Sequence, residues 1–107
     1  MNFAGVIITM EKKNSGYNVH CDKVVMDSKD LTLVTDVNDC RNSITVKMLV
    51  DLSNGPDDDV DIVCKVLRRC CNRLNWLNYD SVLEDIKAET LRLLSDDTHG
   101  FYVLGNT

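Results

Sequence analysis

The sequence predicts a two-layer α+β domain, and three observations carry that reading. Apolar residues recur at every second position through the first half of the chain. From Val60 onward they recur with a period near 3.6. Between the two regimes stands the break Ser53-Asn54-Gly55-Pro56. We therefore expect a four-stranded antiparallel meander, two helices packed on one face of it, and a short C-terminal strand. All of this falls within a single domain over residues 1–107.

The elements follow in order. Phe3–Met10 is almost wholly apolar, the pattern of a strand covered on both faces. Lys12-Lys13-Asn14-Ser15-Gly16 reads as a turn, with Gly16 free to adopt positive φ. In the second strand, Tyr17–Met26, Tyr17, Val19 and Cys21 alternate with Asn18, His20 and Asp22. Leu31, Leu33 and Val37 mark a third. The fourth turns Ile44, Val46, Met48 and Val50 one way and Thr45, Lys47 and Asp51 the other.

A wheel started at Val60 gathers residues 60, 63, 64, 66, 67, 70, 71, 74 and 77 on one broad apolar face. Acids at Asp57–Asp59 and arginines at 68, 69 and 73 complement the helix dipole at its two ends. A second helix is expected after Asn78-Tyr79, with Ser81 and Glu84 at capping-box spacing. Its apolar face is Val82, Leu83, Ile86, Leu93 and Leu94. Phe101–Leu104 reads as the last strand.

Composition narrows the function. A hydrophobic share of 44% and a charged share of 27% exclude disorder, and a single proline excludes collagen-like and linker-like chains. Twelve Lys and Arg against seventeen Asp and Glu leave a net charge of −5, concentrated after residue 52. Nucleic-acid binding by phosphate neutralisation needs a basic face, so direct nucleic-acid binding is not expected. The charge-free stretch Met1–Met10 is half the length of a bilayer span and lacks the flanks of a secretory signal, so no membrane association is expected. Five cysteines (Cys21, Cys40, Cys64, Cys70, Cys71) form an odd, irregularly spaced set with two adjacent members. That set suggests reduced thiols in an intracellular, cytoplasmic protein.

Catalytic and metal patterns are incomplete. Asp57, Asp59 and Asp61 have the 1-3-5 spacing of a calcium loop. However, Ile62 stands where the turn glycine belongs and Arg68 where the closing glutamate belongs. The cysteines with His20 and His99 contain no CxxC pair, so no zinc and no other cofactor is expected. His20 and Asp22 share a strand face that Thr45, Lys47 and Asp51 could join, but no nucleophile elbow accompanies them. The expectation is therefore a non-enzyme.

What remains is apolar residues out of phase with the helices. Ile62 and Trp76 fall in the polar arc of the first helix and Leu91 in that of the second. Arg69, Arg73 and Trp76 succeed one another by about a turn, forming a ridge with Tyr79 just beyond. Trp, Tyr and Arg dominate binding hot spots, so Arg69, Arg73, Trp76, Tyr79 and Ile62 are the candidate partner-binding residues. The expected function is a small acidic regulator, adaptor or inhibitor that binds a protein partner, or a second copy of itself, and acts by surface occlusion. One alternative is a small-ligand-binding protein or minor enzyme using the sheet face around His20, Asp22 and Lys47. Another is nucleic-acid mimicry by Glu84, Asp85, Glu89, Asp96 and Asp97.

Overall fold

The computed structural model describes residues 3–24, 26–27, 34–38, 42–52, 55–95 and 103–104. In chain order these form β1 (Phe3–Lys13), β2 (Gly16–Val24), β3 (Met26–Asp27), β4 (Val34–Asn38), β5 (Ser43–Asp51), α1 (Pro56–Arg73), α2 (Asp80–Ser95) and β6 (Val103–Leu104). The α+β class, the four-stranded antiparallel sheet and the two helices on one of its faces are as the sequence predicts.

The strand order is β2-β1-β5-β4, which corrects the expected meander: β1 lies inside the sheet, between β2 and β5. The reason lies in the register. Ala4, Val6, Ile8 and Met10 stand opposite Val50, Met48, Val46 and Ile44. The first set belongs to the most apolar strand of the chain and the second to its most clearly alternating one. Pairing them directly concentrates both on one face, where all eight are buried. β1 is covered by helices on that face only. On the other face Ile7 and Thr9 are half-buried.

The expected third strand is described over Val34–Asn38, which includes Val37, and Leu31 and Leu33 lie outside the described residues. Met26–Asp27 and Val103–Leu104 form a separate parallel ladder of two rungs. Two rungs do not amount to the fifth strand expected over Phe101–Leu104, half of which lies outside the described residues.

α1 packs on β5, α2 packs on β2, and the helices pack on each other. Gly55, at φ 87, turns the chain out of the sheet, and Pro56 begins α1 at a position whose N–H has no partner within the helix. Asp59 then ties the first turns of α1 to the end of β5 by accepting a hydrogen bond from the Asp51 backbone N–H at 2.9 Å. Val60, Val63, Leu67, Cys70 and Cys71 are buried on the sheet side of the helix.

The wheel fails where the helix stops. Asn75 has φ 60. Its N–H donates to Asn72 O at 3.1 Å, and the Trp76 N–H donates to Cys71 O at 2.9 Å. This pair of bonds is a Schellman termination, with asparagine supplying the left-handed residue. The residue after that turn folds back against the last turn of the helix. Trp76 is accordingly 4% exposed and belongs to the core, and Leu77, assigned by the wheel to the apolar face, is 72% exposed. The Trp76 ring meets Tyr17 with centroids 5.4 Å apart, and the Tyr17 hydroxyl donates to the Leu77 carbonyl.

α2 begins one residue ahead of the anticipated Ser81. The Tyr79 carbonyl accepts from the Leu83 N–H at 2.9 Å, which places Ser81 inside the first turn instead of at the cap. Leu83, Ile86 and Leu94 are buried as expected. Leu91 also packs against the core, which corrects its assignment to the polar arc. Thr90 is buried too, its hydroxyl 3.8 Å from Cys21 Sγ.

The inversion of Trp76 and Leu77 is directly measurable. Trp76→Ala should lower the unfolding free energy by about 3–5 kcal/mol. Leu77→Ala should change it by less than about 0.5 kcal/mol in the same urea titration. A larger loss at Leu77 than at Trp76 would mean that α1 continues past Arg73.

Candidate functional site

Ile62, Val66, Arg69 and Arg73 follow one another at helical spacing along the outer flank of α1. Ile62 is 45% exposed, Val66 is half-buried, and both arginines are exposed. Val66, Arg69, Cys70 and Arg73 face Val37 of β4 across an open groove of about 430 Å³. Its floor is apolar, since Val37 and Val66 pack against the core and Cys70 belongs to it. Its rim is cationic.

Burial pushes the Cys70 thiol above its ordinary pKa. The guanidiniums of Arg73 and Arg69 pull it the other way, so both charges are felt at the groove floor. Among the described residues neither arginine has an ion-pair partner, and Lys65 on the same helix has none either, whereas Arg68, Lys87 and Arg92 are paired. Arg68 pairs with Asp80 at 2.6 Å and lies over the Tyr79 ring, 5.3 Å from its centroid. Lys87 pairs with Asp61 at 2.6 Å, and Arg92 pairs with Glu89.

Of the five residues singled out from sequence, the structure places Ile62, Arg69 and Arg73 on one exposed flank and sets the other two apart from it. Trp76 is buried by the helix termination. Tyr79 is half-buried at the inter-helix turn, its hydroxyl donating to Asn72 Oδ1. The expected arginine–tryptophan ridge is therefore replaced by an arginine–aliphatic groove. Val37, Val66 and Cys70 were missed as site residues. Val66 was legible as the residue one turn after Ile62, whereas Val37 required knowledge of the strand order.

The sheet face offers less. His20 Nε2 and Asp22 Oδ2 are 2.5 Å apart and both side chains are exposed. Thr45 and Lys47 share that face by register, through Thr9 and Ile7. β1 runs between them and the dyad, so Lys47 stands two strand spacings away, about 9.6 Å. The surface brings His20 and Asp22 together and leaves Lys47 apart, with no point where a nucleophile, a base and a substrate atom converge.

The calcium-like spacing is taken up by structure, with Asp59 bound to the Asp51 N–H and Asp61 to Lys87. Among the described residues no three His, Cys, Asp or Glu side chains gather as a metal site would require. Cys21, Cys64, Cys70 and Cys71 are free thiols, and Cys40 and His99 lie outside the described residues. Of the acids weighed for mimicry, Glu84, Asp85 and Glu89 are exposed on α2, and Asp96 and Asp97 lie outside the described residues. No described helix is long and apolar enough to cross a membrane.

Comparison of the chain with protein-family models, with curated proteins and with solved structures gives no match. The assignment of function therefore rests on the geometry alone.

The thiols make a testable statement about the interior beneath the groove. Burial raises all four described thiols, and Cys71 is pushed up to about 11. The unfolded chain releases these protons near the ordinary value of 9.0. Between these values the native state holds more protons than the unfolded state, so stability should fall as pH rises from 9 toward 11. Urea unfolding across that range should show the decline, and it should be shallower in Cys71→Ala.

Proposed function

We propose that this chain is a non-enzymatic protein-binding module, a small regulator, adaptor or inhibitor of the reducing cytoplasm that acts by covering a surface of its partner. The observation that carries this reading is the pair of exposed arginines, one turn apart above an apolar groove and without an ion-pair partner among the described residues, on a chain of net charge −5. Arginine presents a planar fork of donors that matches a carboxylate, and it holds its charge at every physiological pH. The arrangement suits a partner segment with carboxylates spaced about one helical turn apart and an aliphatic side chain between them. The carboxylates would engage Arg69 and Arg73, and the aliphatic group would cover Val37, Val66 and Cys70. Ile62 extends the apolar contact by one turn.

Each member contributes in a familiar way. Charge pairs at a rim set orientation and association rate, while the desolvated apolar floor slows dissociation.

A display library of random twelve-residue peptides, selected on the wild-type chain, tests the proposal. Enriched sequences should pair Asp or Glu with Leu, Ile or Val. They should bind Arg69→Glu/Arg73→Glu at least tenfold more weakly, a loss of about 1.4 kcal/mol or more. Circular dichroism and melting temperature of the double variant should stay close to wild type. Enrichment of sequences without acids, or equal binding to both proteins, would overturn it.

A further inference from the structure

β2 is an edge strand of nine residues without proline. Hydrogen bonding in an antiparallel ladder alternates. The Lys12 N–H donates to Asn42 O at 2.8 Å, so the even-numbered residues of β1 bond toward β5 and its odd-numbered residues bond toward β2. Thr9 and Ile7 therefore bond His20 and Asp22, and the backbone groups of Val19 and Cys21 point away from the sheet. Among the described residues no strand pairs with this edge at Val19 and Cys21, whose backbone groups offer donors and acceptors there.

α2 roofs this edge. Val19, His20 and Cys21 form one side of an open slot of about 440 Å³, and Asp85, Ile86 and Glu89 of α2 form the other. Val19 is 36% exposed there. The slot has an apolar centre at Val19, Cys21 and Ile86, bordered by the carboxylates of Asp85 and Glu89. Asp85 has no ion-pair partner among the described residues, while Glu89 shares its charge with Arg92 and Asp22 with His20.

The geometry also says which occupant fits. α1 sits on β5 and α2 on β2, and those strands are two spacings apart, about 9.6 Å. That equals an ordinary interhelical distance, so the α2 axis stands over β2 itself. A second copy pairing β2 with β2 would place its own α2 about 4.8 Å from this one, where packed helices need about 8–10 Å. A lone extended segment carries no helix and meets no such clash.

We propose that the outer edge of β2 binds an extended segment of a protein partner as an added strand, one whose helix-side residues are an aliphatic flanked by Lys or Arg. The backbone of Val19 and Cys21 supplies the ladder bonds. The aliphatic side chain enters between Val19, Cys21 and Ile86, and the flanking cations meet Asp85 and Glu89. This surface lies at the opposite edge of the sheet from the arginine groove and does not depend on it.

The probe is the capped heptapeptide Thr-Lys-Thr-Val-Thr-Lys-Thr, which presents Lys, Val and Lys on one face. Two further versions carry backbone N-methyl groups, one at the odd positions and one at the even positions. Strand addition requires that one methylated version bind like the parent and the other bind about tenfold or more weakly, because only one set of N–H groups faces β2. Saturation with the parent peptide should slow amide exchange at Val19 and Cys21. Asp85→Lys/Glu89→Lys should weaken binding, whereas Arg69→Glu/Arg73→Glu should leave it unchanged. Val19→Pro, which removes an outward-facing donor on an edge strand, should abolish it. Equal binding of the two methylated versions, unchanged exchange at Val19 and Cys21, or no measurable binding of the parent would each overturn the proposal.

Discussion

The pairing of β1 with β5 is the interaction on which everything else rests. It sets eight alternating apolar side chains side by side, from Ala4 opposite Val50 to Met10 opposite Ile44, and so creates the one surface broad enough to hold two helices. A shift of register by a single residue would turn one strand's set toward solvent and present either Ile7 and Thr9 of β1 or Thr45 and Lys47 of β5 to the helices. The flanking strands are then placed by short connections, β2 through the hairpin at Asn14-Ser15 and β4 at the other edge. Both surfaces considered for binding arise from this order, one along each edge of the sheet.

Charge is distributed to the same plan. The acids at the start of α1 read as a concentrated negative patch in one dimension, but in space they are partly used as fastenings. Asp59 secures the β5-to-α1 connection, Asp61 holds Lys87 of α2, and Asp80 holds Arg68 of α1. Exposed pairs of this kind stabilise weakly, but they occupy the charges they join. Arg69 and Arg73 point away from α2 and meet none of these acids. Their availability follows from which flank of α1 faces its neighbour.

Much of this was legible in the sequence, and the limits have physical causes. Period-two and period-3.6 patterns depend only on local geometry, so the strands, the helices and the buried set Val60, Val63, Leu67, Leu83 and Ile86 could be read directly. Strand order could not, because β1 next to β5 is a contact between residues some forty positions apart. The errors at Trp76 and Leu77 came from carrying a helical wheel past the end of its helix. Asn75 was the available sign, since asparagine is among the few residues other than glycine that readily take the left-handed conformation terminating a helix. The same turn that hid Trp76 removed half of the anticipated ridge and left its arginines beside aliphatic partners from a strand.

The bond from the Tyr17 hydroxyl to the Leu77 carbonyl, together with the contact between the Tyr17 and Trp76 rings, joins the β1–β2 hairpin to the loop between the helices. These segments are sixty residues apart in the chain, yet neither can open at this end of the molecule without releasing the other. Local unfolding here is therefore a single cooperative event. It would admit solvent to the indole, unlatch the start of α2 and relax the tip of β2 together. Its free energy sets how often the edge strand frays from that end.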